Sequence, residues 1–259
     1  MRLRVWFADT VYLFVTLLLA PIWIPAVLLR AKYRTYFWER FGGRVPRKTG
    51  VIWIHAVSVG EVRAAKPLVE ALERHLTTAE ASIGGDVRKA DRPEAPPEVV
   101  VSATTRTGRE TAASVFPTHT TFQFPLDYSW VISRVLRRLR PRMIVLMELE
   151  VWPNLVALAA KRGVPVTVAN GRLSERSGSR YRRLRVLFGG MFGQLRRVLA
   201  QTSGYADRFA AVGVDPARIE VTGSVKYDAV SLADADRMTA VRERWRADLG
   251  VGAEDRLLV

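Results

Sequence analysis

A chain of 259 residues with 49% apolar content can bury a real core, as one large domain or two smaller ones. It has no cysteine, which excludes disulfides and thiolate metal sites and fits a reducing compartment. Forty Lys and Arg against 25 acids give a formal charge of +15, which implies an anionic partner without choosing among nucleic acid, anionic lipid and a phosphorylated substrate.

Val11 to Leu29 is a run of nineteen residues without formal charge. As a helix it would reach ~28 Å, against ~30 Å of bilayer hydrocarbon. This predicts a membrane anchor, and a cleaved signal peptide is the alternative. Pro21 and Pro25 predict a kink, so a re-entrant or interfacial arrangement stays open. Arg30, Lys32, Arg34 and Arg40 follow the run, which by the positive-inside rule puts the rest of the chain in the cytoplasm. Tyr33, Tyr36, Phe37, Trp38 and Phe41 lie among these cations and read either as an interfacial belt or as a patch packed on the domain.

Val51 to Glu61 reads as a buried strand entering a turn, for which Gly60 supplies backbone freedom, and then a helix with a 3.6-residue apolar period from Val62 to Leu76. Glu61 therefore stands at the carboxyl end of a strand, where open α/β sheets bind ligands. It reads either as a proton acceptor or as a first-turn acid that complements the helix dipole. Thr77 to Glu98 has no apolar period and reads as a surface insertion. Val99–Ser102 is a strand leading through Thr104–Gly108 into a helix ending near Val115, and that hydroxyl-rich loop could hold a phosphate or sugar.

Thr121–Phe124 is the next strand, followed by a helix from Ser129 to Leu139 and a wholly apolar strand from Met143 to Met147, as expected in a parallel sheet covered on both faces. Glu148 and Glu150 follow; in extended chain they would point the same way and suit a glycosyl-transfer site, or one of them caps the helix beginning near Pro153. A helix over Asn154–Arg162 and a strand over Val164–Ala169 lead to Asn170. Arg172 to Arg185 holds six arginines and one glutamate and continues into an apolar stripe at Leu184, Leu187, Phe188, Met191, Leu195 and Val198. Strands at Val198–Gln201 and Ile219–Val221 flank a helix closed by Gly213. Lys226, after a Gly-Ser turn, is placed to reach a phosphate or is merely solvated. Five or six strands alternating with helices predict a doubly wound α/β domain. Asp234–Leu249 reads as a charged linker helix. His55, His75 and His119 lack metal-ligand spacing.

Four blocks carry a resemblance. His55-Ala-Val-Ser-Val-Gly-Glu61, Glu148-Leu-Glu-Val-Trp-Pro-Asn154, Asn170-Gly-Arg-Leu-Ser174 and Thr222-Gly-Ser-Val-Lys-Tyr-Asp228 resemble, in order, the signatures of the 3-deoxy-D-manno-octulosonic acid (Kdo) transferases of lipopolysaccharide synthesis. Departures from the family pattern are Leu149 for threonine, Val151 for leucine, Gly171 for alanine and Tyr227 for phenylalanine.

The resemblance implies the Rossmann-like N-terminal, acceptor-side domain of a two-domain GT-B glycosyltransferase over residues 33–230. A membrane anchor and its flanks occupy 1–32, and a linker with the beginning of the nucleotide-binding domain occupies 231–259, the rest of that domain being missing. It implies inverting, metal-independent transfer of Kdo from CMP-Kdo, a donor substrate and not a cofactor, to the phosphorylated lipid acceptor lipid IVA on the cytoplasmic face of the inner membrane, with no nucleic acid. Glu61 matches the proton acceptor, and Glu148 and Lys226 match the transition-state stabilisers. Ser58, Gly60, Glu150, Asn170 and Arg172 are the expected substrate contacts. A chain lacking most of the nucleotide domain is expected to bind the donor poorly and so to be an inactive fragment. The competing reading is a membrane-anchored module that binds anionic lipid without catalysis.

Overall fold

The computed structural model describes residues 2–29, 37–43, 45–83, 97–149, 151–183 and 190–225, together with residues 244, 246 and 248. Seven parallel strands form one sheet: β1 (Ile52–Ala56), β2 (Val99–Ala103), β3 (Thr120–Gln123), β4 (Met143–Met147), β5 (Val166–Gly171), β6 (Arg197–Ala200) and β7 (Ile219–Val221). Their spatial order is β3-β2-β1-β4-β5-β6-β7, so the winding reverses between β1 and β4. Helices α3 (Val59–Ile83), α4 (Arg106–Val115), α5 (Ser129–Leu139), α6 (Pro153–Lys161), α7 (Glu175–Arg183) and α8 (Ser203–Ala211) supply crossovers and cover the sheet. Side chains of β1 alternate between its faces. Trp53 joins the core with Phe122, Phe124, Ile132 and Leu155, while Ile52, Ile54 and Ala56 join the other with Val62, Ala65 and Val69.

The sheet has seven strands against the expected five or six, and the shortest of them, β7, with two of its three residues exposed, occupies the expected strand Ile219–Val221. Helix α3 runs seven residues past Leu76, so the expected insertion begins later; residues 84–96 lie outside the described residues. Val198, shared by the apolar stripe and the expected strand Val198–Gln201, belongs to β6, paired with Val168 and Ile219, so the strand reading holds there and the stripe ends before it. Leu184, Leu187 and Phe188 of that stripe, and the linker apart from its helical residues 244, 246 and 248, also lie outside the described residues.

The N-terminal apolar run forms two helices, α1 (Arg2–Leu18) and α2 (Ala20–Leu29), bent by 67° at Leu19. The Pro21 ring has no N–H to give and would strike the carbonyl of Leu17 in a continuous helix. Among the described residues no single helix is long and apolar enough to cross a membrane; the bent pair is, by length and composition. Trp23 donates its indole N–H back to the Thr16 carbonyl at 2.9 Å.

Helix α1 is bonded to the domain through the start of α6. Asp127, fully buried, accepts from the backbone N–H groups of Asn154 (2.9 Å) and Leu155 (2.8 Å) and from the Tyr12 hydroxyl (3.1 Å). The Asn154 amide donates to Asp9 Oδ1 and to the Asp127 carbonyl. Burial outweighs the three donors and pushes the Asp127 carboxyl up from 3.8 to about 7. His55, buried in β1, is pushed the other way, from 6.5 down to about 3, again by burial.

These shifts have opposite signs in the pH dependence of stability. The Asp127 contribution is present at low pH and is lost as pH rises from 3.8 towards 7; that of His55 is present above 6.5 and is lost as pH falls towards 3. Asp127→Asn should therefore gain stability relative to wild type as pH rises between about 4 and 7, with a slope approaching about 1.4 kcal/mol per pH unit. Urea denaturation of both proteins across that range measures it, and a pH-independent difference would contradict the assignment.

Candidate active site

The carboxyl ends of β1, β4 and β5 carry most of the expected residues that can be described. Strand β1 ends at Ala56, and Ser58 stands one residue before α3. Ser58-Val59-Gly60-Glu61 is a capping-box sequence. The Ser58 hydroxyl donates to Glu61 Oε1 at 3.2 Å, and the Val57 N–H donates to Oε2 at 2.9 Å. Glu61 is half-buried, so its carboxylate is oriented by two donors at the first turn of a helix, where the dipole favours the anion. Gly60 is not the turn-maker expected of it: it is the second residue of α3, lacks a left-handed φ and is exposed, with open space where a Cβ would stand. The chain turns at Val57 and Ser58 instead.

Val57 also joins α4 to the site. Its carbonyl accepts from the Thr105 N–H (3.0 Å) and from the Thr105 hydroxyl (3.2 Å), while the same hydroxyl oxygen caps α4 by accepting from the Gly108 N–H at 3.0 Å. A Cβ on Gly108 would come within 2.8 Å of Thr105 Oγ1 and 3.0 Å of the Val57 carbonyl. The hydroxyl-rich loop thus spends these groups on structure. Thr104, the other loop hydroxyl before α4, lies 3.2 Å from His55 Nε2.

Under the crevice, His55 stacks on Phe124 at 3.8 Å between ring centres, and Phe124 lies 5.2 Å from the Trp152 ring. Trp53 donates to Ser102 Oγ at 2.7 Å, which in turn lies 3.0 Å from His55 Nδ1. Nδ1 also lies 3.3 Å from the Ser102 carbonyl, so every contact is served when the Nδ1–H donates to Ser102 and Nε2 accepts from the Thr104 hydroxyl. His55 is therefore a neutral, fully bonded floor residue, uncharged over the ordinary pH range.

Glu148 follows β4 and is half-buried. Its φ of 58° is left-handed, and its N–H donates to the Ala169 carbonyl at 2.9 Å. The expectation that Glu148 and Glu150 share an extended strand fails for that reason, since the backbone turns at Glu148; Glu150 lies outside the described residues. A left-handed non-glycine residue is uncommon and costs about 1–3 kcal/mol. Asn170, with φ 54°, repeats the feature on the neighbouring strand, where the β5–β6 register shifts between Val168 and Gly171. Asn170 is buried; its Oδ1 accepts from the Val225 N–H at 3.2 Å, and its Nδ2 is buried without a partner. Asn170 therefore fastens the segment after β7 to the end of β5. Lys226, the residue after Val225, lies outside the described residues. Arg172 is exposed. The clefts lined by Glu70, Arg74 and Thr78 on α3 and by Pro97, Val99 and His119 at the amino ends of β2 and β3 lie away from this crevice.

Sequence reasoning overlooked the Asp9–Asp127–Asn154 network and the His55–Ser102–Thr104 chain. The capping-box spacing of Ser58 and Glu61 was available in the sequence; the network was not, because Asp9 and Tyr12 are more than a hundred residues from their partners Asn154 and Asp127. The departure Gly171 has a packing reason: a Cβ there would lie 3.1 Å from both the Leu199 carbonyl and Phe209 Cε2.

Carboxylates placed at the carboxyl ends of β1 and β4, on either side of the reversal in winding, define a doubly wound α/β domain of the class that binds ligand at its switch point. Residues 35–229 match the family model described as 3-deoxy-D-manno-octulosonic-acid transferase (kdotransferase), and the chain belongs to that family. It is 34% identical over 233 residues to the 3-deoxy-D-manno-octulosonic acid transferase of Bordetella pertussis, covering 84% of this chain and 49% of the relative. To that of Haemophilus influenzae it is 31% identical over 223 residues, covering 84% and 48%. The chain thus spans about half the length of these relatives. Among solved structures it is similar to the UDP-GlcNAc 2-epimerase from Neisseria meningitidis bound to UDP-GlcNAc, with a TM-score of 0.49, 12% identity, and coverage of 78% of this chain and 54% of that one.

Gly108→Ala should press α4 away from Val57 and disturb the turn that holds Glu61. The expected loss is about 1–3 kcal/mol, read by urea denaturation, with faster hydrogen exchange at the Val57 and Thr105 amides.

Proposed function

We propose that this chain is the acceptor-side part of a glycosyltransferase that moves Kdo from CMP-Kdo to the membrane lipid lipid IVA. The observation that carries the reading is the Glu61 carboxyl group, oriented by the Val57 N–H and the Ser58 hydroxyl, at the switch-point end of β1 beside the Glu148 turn on β4.

In this reading Glu61 takes the proton of a sugar hydroxyl on the acceptor as that oxygen bonds to the anomeric carbon of Kdo. The bond from that carbon to the CMP phosphate oxygen breaks on the opposite face, and CMP leaves with the electron pair. Glu148 steadies positive charge developing on the sugar, and Lys226 meets negative charge on the phosphate or on the Kdo carboxylate. Asn170 acts by fixing Val225, and so the start of the Lys226 segment, while its free amide donor is available to an acceptor oxygen. Ser58 orients the base. Gly60 leaves the approach to Glu61 open, and Arg172 offers an exposed cation to an anionic substrate. No step is assigned to a metal or a cofactor. The excess of cations and the apolar N-terminal pair of helices support work at an anionic bilayer, on the cytoplasmic face of the inner membrane.

A specific observation favours a second reading. Both Glu61 oxygens already accept bonds from the turn before α3, a structural role for a first-turn acid, and the chain would then be a lipid-binding module without catalysis. Glu61→Gln separates the two, because it keeps an acceptor for the cap and removes the base. Assayed for Kdo transfer from CMP-Kdo to lipid IVA in membranes of cells making the complete protein, Glu61→Gln should lose about 10²–10⁴-fold in rate while sedimentation with lipid vesicles is unchanged. Retained transfer would favour the capping role.

A further inference from the structure

Helix α1 has its polar and apolar sides reversed relative to an ordinary surface helix. Val5, Ala8, Asp9, Tyr12 and Thr16 form a half-buried stripe at helical spacing against the domain. Phe14 (66% exposed), Leu17 and Leu18 point away from it. Polar members of the stripe are bonded to the domain along its length. Asp9 Oδ1 accepts from the Ser129 N–H and the Asn154 amide, both at 2.9 Å; Tyr12 donates to Asp127 at 3.1 Å; Thr16 Oγ1 lies 2.5 Å from the Tyr128 hydroxyl, which donates to the Tyr12 carbonyl at 3.2 Å. From Asp9 to Thr16 these bonds extend ~10 Å along the helix axis. Nearer the N-terminus, Val5 and Trp6 share a cleft with Leu158 and Lys161.

This side-on attachment limits how α1 can meet a bilayer. If it stood across the hydrocarbon, Asp127, Ser129, Asn154 and Lys161 would be carried to the same depth, and ionisable groups there are expensive. Helix α2 leaves α1 at 67° and has no buried residue. The aromatic rings of Trp23, Phe37, Trp38, Phe41 and Trp130 run in successive contacts of 5.4–6.1 Å from α2 to the start of α5, with Arg134 over Trp130 at 5.6 Å. An aromatic band carrying a cation, continuous with an exposed apolar helix face, matches the headgroup and upper acyl region of an anionic bilayer.

We infer that α1 and α2 lie within a single leaflet, the outer face of α1 among the acyl chains and its polar stripe locked to the domain, so that the N-terminus stays on the same side as the sheet. The inference rests on the membrane reading above and deepens it. The lock engages the start of α5 at Ser129 and the start of α6 at Asn154, both at the carboxyl edge of the sheet, and so it fixes the tilt of the crevice at Glu61 and Glu148 towards the leaflet.

The absence of cysteine from these 259 residues makes them suited to single-cysteine labelling. Single variants Arg4→Cys and Gly43→Cys, with Arg2→Cys as a second N-terminal position, are treated with a membrane-impermeant maleimide in inverted inner-membrane vesicles. The expected result is labelling of the N-terminal and Gly43 positions to within twofold of each other before any detergent is added. An N-terminal cysteine that reacts only after detergent, in protein that sediments with the vesicles, would show a crossing helix and overturn this inference alone. Protein absent from the vesicle fraction would overturn the membrane reading and this inference with it. Disulfide-linked pairs of a Phe14→Cys variant in the lipid-free soluble fraction would show a second copy covering the face, which also overturns it.

Discussion

The peptide groups of Val57 hold the working end of this domain together. Its N–H goes to Glu61, its carbonyl goes to the backbone and hydroxyl of Thr105, and the lack of a side chain at Gly108 allows α4 to approach that carbonyl. One residue beyond the central strand thus sets the entry of α3, the start of α4 and the direction of a carboxylate. Burial of β1 on both faces makes this rigid, since its strand residues, through Ala56, are all in the core. The floor is equally fixed: His55 is stacked, bonded and neutral, a spacer in the crevice and not an acid or base.

A second junction, at Asp127, does for helix α1 what Val57 does for the crevice. A carboxyl group taken out of water would be costly alone. Here it receives two N–H bonds from the first turn of α6 and a hydroxyl from α1, so the strand-end loop after β3, the helix after β4 and α1 share one buried group. The two junctions lie at the same edge of the sheet. The proposed membrane contact and the proposed chemistry are consequently held in one frame, with Glu61 and the outer face of α1 both referred to it.

What could be read from the sequence followed from local order. The apolar runs at Val51, Val99 and Met143 announced buried parallel strands, Ser129–Leu139 carried a helical period with matching ends, and the His55–Glu61 block placed the proposed base at a strand-to-helix turn. The failures also have physical causes. Glu148 was assumed extended, but left-handed backbone at a non-glycine residue is imposed by surroundings and leaves no mark in composition. Gly60 was credited with a turn made one step earlier by Val57 and Ser58. The Asp127 network joins α1, the loop after β3 and the start of α6, a long-range arrangement with no periodic signature. Pro21 gave the position of the break in the apolar run but not its 67° angle.

The order of strands bears on how such a chain is made. Strand β1 gains its first neighbour when Val99 emerges from the ribosome, but its other edge waits for β4, which begins 87 residues after Ala56. At ordinary translation speeds that interval is roughly 4–17 s. Throughout it the nascent polypeptide presents an unpaired hydrogen-bonding row on a strand buried at every residue in the finished fold, with a greasy helix pair already synthesised ahead of it. A chaperone or the bilayer itself, engaging that pair early, would shield the half-built sheet from aggregation until the central pairing closes.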